Sequence, residues 1–207
     1  ISFVVETFNN FQLAQKELIT DTGATGDKLR ELEVSLADAQ GNVAQNSQEV
    51  AQAIWELNTR LGLTGDELTE FTTKYLNFAT VTGQDGKTAI ADNVKMFNIW
   101  GVSTEKQAEY LDKLAKVGQL TGVNVSTLTN QLQQNQATLS AMGFTLDDSI
   151  ALLSNFEQAW VDATSVLASM KMGVANLVEQ WFTPAEAIEQ IVDSIKNAKT
   201  ETEGMDD

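Results

Sequence analysis

Apolar residues recur three and four positions apart along most of the chain, with polar residues between them. Within Phe3–Thr20, Val4, Phe8, Phe11 and Leu18 form one stripe, and Glu6, Gln12, Gln15 and Lys16 lie opposite. That spacing predicts a helix. Thr22–Gly26 breaks it, and Leu29, Leu32 and Leu36 mark a second helix over Asp27–Ala39. Gly41–Gln48 reads as a polar loop, and Val50, Ile54, Leu57 and Leu61 give a third helix over Glu49–Leu61. Leu68, Phe71, Tyr75 and Phe78 carry the next. After a turn at Thr82–Lys87 come helices over Ala89–Ile99, Thr104–Val117, Ser126–Ala141, from Thr145 through Phe156, and over Val161–Val178. A last one starts at Thr183-Pro184 and buries Ile188, Ile191, Val192 and Ile195. No segment alternates as a strand would. The expectation is an all-α chain of about nine short-to-medium amphipathic helices in an irregular bundle. It divides into a helical hairpin (1–48), a helical domain (49–199) and a polar tail (200–207).

The helix starts share a grammar: a small turn, then Ser or Thr, then acidic residues. Thr64 with Glu67, Thr145 with Asp148, and Thr183 with Glu186 are spaced as capping boxes. In each, the hydroxyl accepts a backbone N–H and the carboxylate returns to the cap residue. Gly101 suits a left-handed helix end. The starts are unevenly spaced, so no solenoid is expected.

Charge narrows the function. The 207 residues hold 13 Lys and Arg against 29 Asp and Glu, a formal net charge of −16. A phosphate backbone would be repelled over most of such a surface, so no specific nucleic-acid binding is expected. The sequence contains neither cysteine nor histidine, which removes the thiolate nucleophile, the commonest general base and the commonest zinc ligands. No apolar run approaches the ~18 residues of a membrane span, and no membrane contact is expected. The chain opens on Ile1 without a signal-peptide pattern and ends in Glu-Gly-Met-Asp-Asp. We expect it to be a piece of something longer.

Candidate chemistry is sparse. The pairs Asp66/Glu67 and Asp147/Asp148 lie in first helical turns, where the helix dipole stabilises negative charge. Asp85-Gly86-Lys87 lacks the spacing of a calcium or phosphate loop and reads as a turn. The Gln-rich stretch Asn130–Gln136 fits a solvent-facing helix or a polar contact. No catalytic residue, cofactor or metal site is expected. Trp55, Trp100, Trp160 and Trp181 fall at or near predicted helix ends. They are the candidate interaction surface, because aromatic residues dominate interface hot spots; packing between helices is the plainer role.

Three stretches together resemble the phage tail tape measure family. They are ELNTRLGLTGDEL (Glu56–Leu68), the block from LTGVNVSTLTNQL to AMGFTLDDSIALLSNFEQA (Leu120–Ala159), and MKMGVANL with TPAEAIEQIVDSIKNAKTETE (Met170–Glu203). With FNIWGVSTEKQAEYLDKL (Phe97–Leu114), the resemblance covers most of residues 7–203. It implies a structural role: a long helical protein in the lumen of the tail tube that sets tail length and leaves with the DNA at ejection. It also implies residence in the host cytoplasm during assembly. The implied partners are the tail tube protein, a tail assembly chaperone, baseplate or distal tail proteins, and further copies of itself.

The chain departs from the family where relatives commonly carry glycine and it carries Trp55, Trp160 and Trp181. Tryptophan resists the left-handed conformation, so the helix ending near Ala159 is expected to run on through Trp160 or to turn differently. The alternative is a non-enzymatic helical interaction module of a secreted or surface protein. A carboxylate-based wall hydrolase finds no paired-carboxylate constellation in this sequence.

Overall fold

A computed structural model describes residues 2–178 together with Thr183, Glu186, Ala187 and Gln190. Among the described residues there are nine helices and no strand. They are α1 (Ser2–Thr22), α2 (Gly26–Gln40), α3 (Ser47–Leu61), α4 (Gly65–Thr82), α5 (Gly86–Ile99), α6 (Thr104–Thr121), α7 (Val125–Ala141), α8 (Leu146–Gln158) and α9 (Ala163–Val178). The chain is all-α.

It forms two compact units, Ile1–Thr129 and the chain from Asn130 onward. The division expected at residues 48 and 49 falls inside the first unit, where α1 packs along α3 and α2 lies on α3 and α4. The centre of that unit is the α3–α4 pair, against which α5 also packs, while α6 joins α4. The stripes read from the sequence face inward: Leu32, Leu36, Ile54, Leu57 and Leu68 are fully buried. Each such side chain contributes roughly 1.5–3 kcal/mol of burial. The Tyr75 hydroxyl, in the same core, donates to Gln107 Oε1 at 3.1 Å, tying α4 to α6.

In the second unit, Leu139, Met142, Leu146, Ile150, Leu153 and Leu167 are buried, and α8 packs against α9.

Glycine sets most of the helix ends. At Gly62 (φ 70) the chain enters the left-handed region and the amide returns to Asn58 O at 3.0 Å. At other ends the turn closes with an amide five residues along: Gln84 to Ala79 O (2.8 Å), Val102 to Phe97 O (2.9 Å) and Phe144 to Leu139 O (3.1 Å). These are the bonds that satisfy orphan carbonyls at a helix terminus.

The helix starts differ from one another. At α8, Thr145 and Asp148 form the full reciprocal box: Asp148 N–H donates to Thr145 Oγ1 at 3.2 Å, and Thr145 N–H to Asp148 Oδ2 at 3.0 Å. Thr183 N–H donates to Glu186 Oε2 at 2.8 Å and Glu186 N–H returns to Thr183 Oγ1 at 3.3 Å. Trp181, Pro184, the apolar stripe from Ile188 to Ile195 and the tail 200–207 lie outside the described residues.

The expected box at Thr64 and Glu67 does not form: Thr64 is the cap residue, but its side chain caps nothing. The cause is the next residue. Gly65 has φ 57, so the backbone turns left-handed where a box needs its first helical residue. Thr25-Gly26-Asp27 behaves identically, with Gly26 at φ 61 and no side-chain cap.

The helix ending near Ala159 does not run on through Trp160. α8 stops at Gln158, and Trp160 itself takes φ 55. Among the described residues it is the one non-glycine with positive φ. Val161 N–H reaches Phe156 O at 2.9 Å, so the turn matches those built on glycine. For an L-residue the conformation costs roughly 1–2 kcal/mol.

Candidate interaction surface

The tryptophans do not share one environment. Trp55 sits in the middle of α3 rather than at or near a helix end, a correction to the sequence reading. It is half-buried, and Lys87 Nζ lies 5.3 Å from its ring centroid. Lys87 is also 3.8 Å from Glu56 Oε1, and Arg60 Nε donates to Glu56 Oε2 at 2.5 Å. Glu56 keeps only 3% of its side chain exposed. A carboxylate this deep needs its cations, so Trp55, Glu56, Arg60 and Lys87 form an internal clasp from α3 to the first turn of α5. Trp100 is half-buried at the other end of α5, as its C-cap, with its amide on Met96 O at 3.1 Å. The fourteen residues of α5 span roughly 20 Å, which separates the two rings.

Trp160 is different in kind. It is 95% exposed. Of the three described tryptophans it alone offers its whole ring to a partner.

The carboxylates act as caps. Asp148 is held below its ordinary value first by the Thr145 hydroxyl, then by the Thr145 amide. Asp85 is lowered first by the Thr88 backbone amide and then by its hydroxyl. Asp85 caps α5, Thr88 N–H donating to its Oδ1 at 2.9 Å; the sequence reading placed it in a turn and began the helix at Ala89. Asn46 likewise caps α3 through Gln48 and Glu49 N–H. An Asp or Asn four to five residues before the apolar stripe was the available signal.

Among the depressions of the described surface, two are shallow and open. One, of about 350 Å³, runs between α2 and the start of α4 and carries Asp27, Glu31, Asp38 and Asp66 against the single cation Arg30. Its sign is wrong for phosphate. No group of three or more His, Cys, Asp or Glu among the described residues is placed to hold a metal ion. The other, of about 480 Å³, lies along α8 and is lined in part by Met142, Phe144, Ala151 and Leu152. Among the described residues no helix is long and apolar enough to cross a membrane.

The arrangement offers packed helices, caps and an outward indole, which is equipment for assembly. Comparison with known families agrees: residues 35–207 match the phage-related minor tail protein family. The chain belongs to that family. It is a structural, virion-associated protein of the phage tail, whose contacts are with other tail components. The match takes in α3 through α9 and begins within α2, leaving α1 outside it. No curated protein matches the chain, and no solved structure matches it.

Proposed function

We propose that this minor tail protein is a segment of the tail tape measure, the component that sets tail length during assembly and departs with the DNA at ejection. The observation that carries the reading is the family match over residues 35–207, laid on an uninterrupted succession of helices. A ruler needs length in proportion to residue count, and helix supplies ~1.5 Å per residue. Among the described residues, connections as short as residues 23–25 and no longer than residues 41–46 keep most of the chain helical. The charge of −16 keeps the chain soluble before the tube polymerises around it. In this reading the tube protein, an assembly chaperone, distal tail proteins and further copies of the chain are its partners. Its place is the tube lumen in the virion and the host cytoplasm beforehand.

The test is tail length by electron microscopy in phage whose parent gene carries an in-frame deletion of about 100 residues in the helical region. The expected outcome is tails shortened by ~150 Å. Tails of unchanged length would overturn the ruler and leave a helical interaction module of the tail.

A further inference from the structure

Trp160 is held at φ 55 with its side chain 95% exposed, and Val161 beside it is exposed as well. Neither feature serves the unit: glycine takes that φ without strain, and an indole in water contributes no burial. The ring therefore finds its use against another molecule.

Its surroundings say which kind. From residue 117 to residue 170 the chain has no Lys or Arg, and it has the carboxylates Asp147, Asp148, Glu157 and Asp162. The first unit is built otherwise, with Arg30 by Asp27, Lys74 by Asp112 and Lys113 by Glu109. Asp148 stands in the first turn of α8 and Asp162 two residues beyond Trp160, both exposed. Asp148 accepts from the Thr145 amide at 3.0 Å, and Asp162 from Ser165 Oγ at 2.6 Å and the Thr164 amide at 3.1 Å. Both are held below their ordinary values, Asp148 first by the Thr145 hydroxyl and Asp162 first by the Ser165 hydroxyl, so both stay charged. Between them lies apolar surface. Asp148, Ala151, Leu152 and Asn155 follow one another at i, i+3, i+4 and i+7 along α8, turned away from the buried Ile150 and Leu153. They line the 480 Å³ depression, which continues over Phe144. Along the chain the order is carboxylate, apolar hollow, open indole, carboxylate.

We propose that this face of α8 docks a cationic amphipathic helix of a partner protein. The partner's apolar stripe seats over Phe144, Ala151 and Leu152, and a Lys or Arg farther along it lies on the Trp160 indole with Asp162 beside it. The spacing suits a helix: Trp160 follows Leu152 by eight residues, which is roughly 12 Å of helical rise, or about two turns on the partner. Helix-in-groove recognition uses apolar anchors at such spacing, and tryptophan is the best aromatic partner for a side-chain cation. The same charge disfavours the other occupants. Nucleic acid, anionic lipid and a second copy carrying −16 are all repelled. The proposal goes beyond the ruler and does not rest on it, because it is read from binding and the ruler from tail length.

The probe is a fluorescein-labelled peptide of leucine and lysine, about five helical turns long, with leucine at i, i+3, i+4 and i+7 on one face. It is titrated with the 207-residue chain and followed by anisotropy. The lysine peptide is expected to bind, and its counterpart with glutamate for lysine to stay free. Trp160→Gly leaves the net charge unchanged and is expected to weaken binding by about tenfold or more. A raised unfolding midpoint shows that this variant is intact. Asp162→Asn, still able to accept the Thr164 amide, is expected to weaken binding about threefold. Asp27→Asn removes the same charge from the first unit and is expected to leave the affinity unchanged. Absence of binding, or equal binding of the glutamate peptide, would overturn the proposal. So would binding indifferent to Trp160→Gly, or weakened equally by Asp162→Asn and Asp27→Asn, either of which means diffuse attraction to an acidic surface. A peptide-free dimer, seen by light scattering and abolished by Trp160→Gly, would overturn it by giving the face to a second copy.

Discussion

The α3–α4 connection in the first unit and the two ends of α8 in the second are written in the same grammar and built differently. At the helix ends, Gly62 takes φ 70 without strain, and Trp160 takes φ 55 at a cost. At the helix starts, Thr145 is followed by Leu146 and makes a full box, whereas Thr64 is followed by Gly65 at φ 57 and caps nothing. One residue decides each case. Backbone geometry is kept, and the side chain either fits it or is forced to. The Trp160 turn shows that the second unit holds a left-handed position even when its occupant resists.

The comparison can be broken by exchanging residues. Gly62→Trp imposes the strain on the first unit and is expected to lower stability by about 2 kcal/mol, read from the denaturant midpoint of the 207-residue chain. The reverse change, Trp160→Gly, is expected to raise stability by about 1 kcal/mol, the released strain being partly offset by the freer unfolded chain. A midpoint lowered by Trp160→Gly would mean that the indole packs inside its unit.

The starts sharpen it further. Thr145→Ala should cost about 1 kcal/mol, while Thr64→Ala should change stability by less than ~0.5 kcal/mol. Equal losses would restore the box at Thr64. The smallest effect is in pH. The folded-state value of Asp148 is depressed by Thr145, so its contribution is present above the ordinary carboxylate range and is lost as pH falls through it. The stability gap between the native chain and Asp148→Asn should therefore narrow below about pH 5. A gap that is constant from pH 7 to pH 3 would sink the linkage.

Much of this fold was legible in the chain. Stripes such as Val50, Ile54 and Leu57 turned inward as their spacing required, because a helix offers those residues only one common face. Gly101 took the left-handed conformation at its helix end as expected, at φ 66. What stayed hidden depended on conformation at one residue or on partners far away. Thr-Gly reads as a cap until the glycine proves left-handed. Trp160 reads as helix because its intrinsic preference opposes the turn, and the closing Val161–Phe156 bond overrides it. The clasp on Glu56 needs Lys87 from another helix, and no local pattern brings them together. For the candidate surface, the sequence pointed to tryptophans; it could not separate the half-buried Trp55 and Trp100 from the exposed Trp160.

The bond between Tyr75 and Gln107 has a consequence in base. Burial pushes the Tyr75 phenol well above its ordinary value of 10.0, so the folded core keeps a proton that an opened chain surrenders. The unfolded state binds fewer protons above pH 10, and stability declines as pH rises from there. Tyr75 at the α4–α6 contact thus contributes to the loss of stability of the first unit in base. In a Tyr110→Phe chain, the growth of tyrosinate absorbance is a built-in optical signal that the two helices have parted.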